Sequence, residues 1–274
     1  MLSAHQSASA HILSRLGINQ QMPGQSQALL VHALHKSASM FLHKFFDGLC
    51  RRKKVPYFSI HNQEPEKQEV PEGFDKSFVL GPLRTFKTDL YEFPMMNQVK
   101  HLIQVRDPRD ILVSEYFSLG WLHSDDDWNE TDKLRREQIR QLTIDEFVLN
   151  EAEFSKYPLL DRYLPILALC EQANVQVVRY EDMVLNFSAW LDQVLDVADV
   201  QPRAIWRRRL VRQYRDEFQP GGTKQPHKRN VMPGDHRAKL KPETIDVLNR
   251  QYEPILTALG YSIAERSTSR NRAA

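Results

Sequence analysis

Two short clusters of residues in this chain are suited to holding phosphate groups. The first is His35-Lys36-Ser37-Ala38-Ser39-Met40-Phe41, after the apolar run Ala28-Leu29-Leu30-Val31. The second is Arg106-Asp107-Pro108-Arg109-Asp110, which follows Leu102-Ile103-Gln104-Val105 and precedes Ser114. Each reads as a buried strand entering the start of a helix. At such a junction the first helical N–H groups lack intrahelical acceptors and the positive end of the dipole points outward, so anions bind there. Lysine, arginine and serine at two such junctions imply a ligand with phosphates at two places. With Asp107 as N-cap and Pro108 at the first helical position, Ser114 falls about two turns on, near the face of the cap. A guanidinium fork beside a hydroxyl suits a terminal phosphate. Arg109 reads as a surface charge.

The elements that must position these residues follow from hydrophobic spacing. Strands are predicted near 28–34, 56–60, 78–83, 101–105 and 175–179. Helices are predicted near 37–53, 108–119, 143–154, 159–173, 188–197, 202–218 and 242–259. The polar stretches 61–72 and 219–239 read as loops, and 123–132 as acidic and mobile. Alternating strand and helix implies a three-layer α/β/α fold on a central parallel sheet of about five strands. A single domain over 26–262 is expected, with a flexible arm at 1–25 and a disordered tail at 263–274.

Composition narrows the function classes. The 274 residues are 41% hydrophobic and 26% charged, which is ordinary for a soluble globular chain with a substantial core. A net charge of +2 does not call for nucleic acid, and no segment interleaves basic with aromatic residues, so no nucleic-acid partner is expected. The basic runs at 51–54 and 207–209 read as solvated helix faces or ends. Two cysteines, Cys50 and Cys170, argue against a disulfide framework; buried thiols and a reducing, cytoplasmic setting are expected. No stretch reaches the length of a membrane span and no secretion signal is apparent, although peripheral membrane contact is compatible with the sequence. No metal-ligand spacing appears, and the oligomeric state is not encoded legibly.

At these clusters the chain resembles the sulfotransferases that use 3′-phosphoadenosine 5′-phosphosulfate (PAPS). Their phosphosulfate loop reads Lys-Ser-Gly-Thr-Thr-Trp after the first strand, where this chain has Lys36-Ser37-Ala38-Ser39-Met40-Phe41. Arg106 and Ser114 match the pair that holds the 3′-phosphate in that family. Tyr180-Glu181-Asp182-Met183 and Lys228-Arg229-Asn230-Val231-Met232-Pro233-Gly234-Asp235 also match, and the four pieces keep the family order. The resemblance implies a P-loop-like nucleotide-binding topology and metal-independent sulfuryl transfer from PAPS, with PAP as product. It implies that Lys36 neutralises the leaving phosphate and that Ser37, Ser39 and the loop N–H groups bind the 5′-phosphate. Tyr180 would contact adenine, and Lys228, Arg229 and Asn230 would close over the 3′-phosphate. Phe41 matches a Trp that stacks on adenine, while its spacing equally fits the core stripe of the helix. Ala38 and Met40 depart from the usual Gly and Thr: alanine resists positive φ, and methionine donates no hydrogen bond. Glu181 and Asp182 read as caps for the next segment.

A hydroxyl acceptor also needs a base. Gly81-Pro82-Leu83-Arg84, after the third strand, offers none. His61 is the candidate after the second strand, with Glu64 as its alternative, while His32 and His35 read as structural. The acceptor is left open among small molecules, sugars and lipids bearing a hydroxyl or amine. Two rival readings stand beside this one. One is a catalytically impaired module that binds PAP or PAPS. The other is a P-loop-type small-molecule kinase, which would need a glycine-rich Walker loop; no glycine lies between Gly24 and Gly48.

Overall fold

Five apolar runs become five parallel strands: β1 (Leu29–Ala33), β2 (Tyr57–Phe58), β3 (Val79–Leu83), β4 (Lys100–Val105) and β5 (Val175–Arg179). They hydrogen-bond in the order β2-β3-β1-β4-β5. The computed structural model describes residues 28–59, 78–84, 99–122, 129–155, 157–215 and 231–263. Every residue of β1 and β3 is buried, as a strand covered on both faces requires. β1 leads to β2 and β3 on one side, and the chain then crosses to β4 and β5 on the other. The carboxyl ends of β1 and β4 flank this reversal of strand order, where open α/β sheets place their ligands.

The helices are α1 (Ser39–Lys53), α2 (Pro108–Phe117), α3 (Glu130–Gln141), α4 (Ile144–Leu149), α5 (Glu151–Phe154), α6 (Leu159–Cys170), α7 (Tyr180–Leu185), α8 (Phe187–Val197), α9 (Ala204–Arg215), α10 (Asp235–Lys239), α11 (Pro242–Gln251) and α12 (Glu253–Ala258). One core joins α1, α7, α8 and α9 to Leu29, Val31, Leu102 and Val178 of the sheet. A second joins α2, α6, α11 and α12 to Ile103, Val105 and Val177 on the opposite face. The result is the expected three-layer α/β/α arrangement.

Local chemistry explains where elements start. Asp107 caps α2 by accepting from Arg109 N–H at 3.0 Å, with Pro108 at the first position. Thr143 and Glu146 form a reciprocal capping box on α4. Gly81 lies at φ 140, and a Cβ there would sit 2.4 Å from the Val31 carbonyl oxygen, so only glycine lets β3 pass β1 this closely. α2 runs on into a π-helical turn, Ser118–Leu122, a feature often found at functional sites.

Several expectations are corrected. Helix α3 begins inside the stretch read as acidic and mobile, because Asn129 accepts from Asp132 N–H at 2.9 Å and caps it. The predicted loop to Lys239 ends earlier, in α10. The 143–154 helix divides at Asn150 and the 242–259 helix at Tyr252. The basic run 51–54 lies exposed at the end of α1, and Arg208 and Arg209 are exposed on α9, as expected; surface contacts accompany them. Arg51 pairs with Asp47 at 2.9 Å, Arg207 pairs with Asp192, and the Arg52 guanidinium lies 4.8 Å over the Trp206 ring. The arm at 1–25 and the segment 264–274 lie outside the described residues. Among the described residues, no helix is long and apolar enough to cross a membrane.

Candidate active site

The first cluster forms a tight turn between β1 and α1, shaped by hydrogen bonds that consume its carbonyls. Ser37 N–H and Oγ both donate to the Leu34 carbonyl, at 3.1 and 2.6 Å. Gln104 Nε2 donates to the Ser37 carbonyl at 2.5 Å, and Gln104 Oε1 accepts from Trp190 Nε1 at 3.1 Å. Arg106 Nη1 donates to the Lys36 carbonyl at 2.8 Å. The carbonyls of Leu34, Lys36 and Ser37 are thereby bonded within the fold, which turns the loop tightly into the α1 N-terminus. Lys36 and Ala38 adopt φ 67 and 65. Alanine therefore takes the left-handed conformation that sequence reasoning said it resists, at a cost of about 1–2 kcal/mol. The Ser37 hydroxyl is committed to Leu34 and holds the turn.

Three cations gather at this turn. Lys36 Nζ donates to Ser118 Oγ at 2.8 Å; Ser114, expected to act with Arg106, is half-buried one turn earlier on α2. Arg84, at the end of β3, donates from Nε to Ser39 Oγ at 3.1 Å. Burial pulls the Lys36 ammonium down to about 8; Glu115 opposes the shift, while Arg106 and Arg84 add to it. Glu115 is itself matched by both terminal nitrogens of Arg162, at 2.7 and 3.0 Å. Burial would raise the Glu115 carboxyl, but Arg162 and His35 outweigh it and hold it at about 2. His35, beside Lys36, places Nδ1 3.6 Å from Glu115 Oε1 and keeps its side chain 36% exposed.

The second cluster converges on the same place. Arg106 is buried, its guanidinium lies 4.2 Å from the Tyr180 ring centre, and its Nε has no partner among the described residues. Such a buried orphan donor suits a bound anion. Tyr180, the first residue of α7, donates its hydroxyl to the Val231 carbonyl at 2.7 Å. Asp110 receives Gly234 N–H at 2.7 Å, His236 N–H at 3.0 Å and His236 Nδ1 at 2.6 Å. Burial alone would raise the Asp110 carboxyl; His236 and Arg106 bring it down to about 2. Residues 231–236 are thereby docked on the first turn of α2. Lys228, Arg229 and Asn230, just before them, lie outside the described residues, as do His61 and Glu64.

Other residues differ from expectation. Arg109 is no surface charge: it is 3% exposed and grips Asp107 through Nε at 2.9 Å and Nη2 at 2.6 Å. It also donates to Asn249 Oδ1 at 2.5 Å and to the Ser262 carbonyl at 3.1 Å. Glu181 does not cap α7. It accepts from Asp107 N–H and from the Tyr261 hydroxyl, both at 3.0 Å, tying two chain segments to the end of β4. Arg179 adds a further tie to the Leu259 carbonyl. Phe41 is 7% exposed and packs against Trp190 at 5.8 Å and Tyr214 at 5.3 Å, within the first core. Met40 is 47% exposed. His32 is a core residue, with Nε2 3.0 Å from Nδ1 of His101. Gln104 and Arg84 are site residues that sequence reasoning missed. Gln104 carried a signal, since a lone amide in a buried strand must find partners.

Comparison with known proteins agrees with this geometry. The sulfotransferase domain family profile matches residues 21–260. A mouse sulfotransferase, SULT7A1, solved with PAP, superposes with a TM-score of 0.57 at 14% identity, covering 93% of this chain and 91% of its own. Retinol dehydratase with retinol and PAP gives 0.51 at 15% identity, covering 96% and 88%. The same enzyme with androsterone and PAP gives 0.52 at 15% identity, covering 94% and 88%. No curated protein matches by sequence. A tight turn after β1 that carries Lys36, a cationic end to β4 and a family match along residues 21–260 lead to one assignment: the protein belongs to the sulfotransferase domain family.

Proposed function

We propose that this sulfotransferase takes its sulfuryl group from PAPS, releases PAP, and uses Lys36 to neutralise the leaving oxygen during in-line transfer. One contact carries the reading. Arg106 donates to the Lys36 carbonyl at 2.8 Å and so joins the two anion-binding junctions into one site. A nucleotide with phosphates at its 3′ and 5′ positions is the ligand class that such a double site fits.

During transfer the bond from sulfur to the bridging oxygen breaks and negative charge grows on that oxygen. A cation beside it stabilises the transition state more than the ground state. Lys36 sits at the apex of the turn, and the α1 N-terminus adds its own positive field. Lys36, Arg84 and Arg106 are met by Glu115, which Arg162 already matches, and by Asp110, which also accepts from His236. The uncompensated charge favours a polyanion. Arg106, with Ser114 and the 228–230 loop, takes the 3′-phosphate, and Tyr180 borders the adenine.

The acceptor is a hydroxyl or amine on a small molecule, a sugar or a lipid. The retinol and androsterone held by structurally similar retinol dehydratase support a small apolar acceptor. A reducing, cytoplasmic setting is supported by the free thiols Cys50 and Cys170, which burial pushes up to about 12 and about 11.

Calorimetric titration with PAP, adenosine 5′-monophosphate and ATP tests the donor assignment. PAP is expected to bind at least about tenfold tighter than either competitor, as one charge-assisted phosphate contact allows. Arg106→Ala is expected to erase that preference. Equal affinity for all three nucleotides, or no PAP binding, would remove the assignment.

A further inference from the structure

Transfer to a hydroxyl requires that its proton leave, and the end of β3 offers a cation, Arg84, where a base would be useful. We propose that His35 is the catalytic base and that Glu115 is its positioning residue. The inference rests on the PAPS-dependent reading above.

The position of His35 is the first argument. It immediately precedes Lys36 in the turn, and the charges of Lys36 and Arg84 both bear on its ring, which sets it beside the cations of the proposed donor site. Its side chain is 36% exposed. His32 and His101, by contrast, are fully buried against each other and cannot reach a substrate.

The setting of the ring is the second. Glu115 Oε1 lies 3.6 Å from His35 Nδ1, and the carboxylate is held by both terminal nitrogens of Arg162. Arg162 is braced in turn by Glu151 at 3.2 Å. A fixed carboxylate 3.6 Å from Nδ1 favours by its charge the tautomer protonated there, which leaves the Nε2 lone pair to accept a proton. The charged groups facing the ring are Glu115 from α2, Lys36 from its own turn and Arg84 from the end of β3. Burial lowers the His35 pKa; Glu115 opposes this, and Lys36 and Arg84 add to the lowering. The ring is therefore neutral at pH 7 and able to act as a base, while Glu115 stabilises the imidazolium that forms.

The step balances. The acceptor's hydroxyl proton passes to His35 Nε2, and the acceptor oxygen forms the new O–S bond. The bond from sulfur to the 5′-phosphate oxygen breaks, and its electron pair stays on that oxygen beside Lys36. PAP and the sulfated product depart, and the imidazolium returns its proton to solvent.

The test measures turnover of ³⁵S-labelled PAPS with water and with cyclohexanol, an acceptor whose hydroxyl does not ionise in this range, from pH 5 to 9, alongside PAP affinity by calorimetry. His35→Asn is expected to lower kcat about 100-fold or more, in the range of general base catalysis. PAP affinity should stay within about threefold, and the acid limb of the wild-type pH profile should vanish. His61→Asn should retain both limbs. Turnover of His35→Asn within about threefold of wild type, or an acid limb that persists in it, would overturn the assignment; so would loss of the limb in His61→Asn instead. Should His35→Asn fail to fold, ring ¹⁵N shifts of wild-type His35 decide: the Nδ1-protonated tautomer supports the proposal and the Nε2-protonated one overturns it. Failure of the wild type to bind PAP would overturn the donor reading and this inference with it, a result distinct from PAP binding with His35→Asn active.

Discussion

PAP binding should take up protons in an amount set by Lys36. Burial pulls this ammonium from 10.5 down to about 8. It is then about nine-tenths charged at pH 7, about half at pH 8 and about a tenth at pH 9. A 5′-phosphate beside Nζ favours the charged form and restores the pKa toward its ordinary value. Binding should therefore take up about 0.1 proton at pH 7, about 0.5 at pH 8 and about 0.9 at pH 9. The phosphates, with a second pKa of about 6, and His35, held low by burial, are already unprotonated at pH 8 and add nothing to this count. Affinity should be level below pH 7 and fall as pH rises through 8. Its full span is about 2.5 log units, or about 3 kcal/mol; screening of a half-buried side chain lowers this to about 2 kcal/mol. The assay is calorimetry at pH 8 in two buffers of different ionisation enthalpy, with wild type and Lys36→Met. Identical heats in the two buffers would refute the reasoning, as would proton uptake that survives in Lys36→Met.

Three further outcomes are expected. Arg109→Ala leaves the Asp107 carboxylate buried and unpaired, and should cost about 3–5 kcal/mol in urea unfolding; a loss below about 1 kcal/mol would contradict the described latch. Ala38→Gly relieves a left-handed alanine and should raise the denaturation midpoint by the equivalent of about 1 kcal/mol, where a fall would show that the turn is unstrained. Glu115 is held at about 2 in the fold against an ordinary 4.5. Its depressed pKa contributes stability that is present above pH 4.5 and is lost as pH falls through about 2. Glu115→Gln should be less stable at neutral pH and should show a flatter acid limb in its stability profile; an unchanged limb would assign acid unfolding to other groups.

The two anion junctions were legible in the sequence because their signals are local. An apolar run, a cap, a proline at the first helical position and a basic residue all fall within a few residues of one another. The strand spans were legible for the same reason, and β5 shows it best. What stayed hidden depended on distant partners. Arg109 resembles a surface charge until Asn249, 140 residues away in sequence, is placed beside it. Glu181 resembles a cap until Tyr261 reaches it. Helix α3 was missed because its polar composition leaves little periodicity, and only the Asn129 cap announces it. Phe41 was ambiguous because a residue of the first helical turn can face the core or a ligand, and the aromatic cluster around it was not visible in one dimension.

The ties from residues 249–263 to the strand ends bear on how the molecule matures. Arg109 and the Ser262 carbonyl are 153 residues apart in sequence, Glu181 and Tyr261 are 80 apart, and Arg179 reaches Leu259 across a similar span. Contacts of such sequence separation close late, because large loops must be ordered before they reward the chain. The Asp107 corner of the proposed nucleotide site, closed by the longest of these spans, is therefore expected to latch after the sheet, whose strand pairings reach across about half that separation or less. Recovery of PAP binding during refolding is consequently a clock for the final step of folding, slower than the return of helical signal.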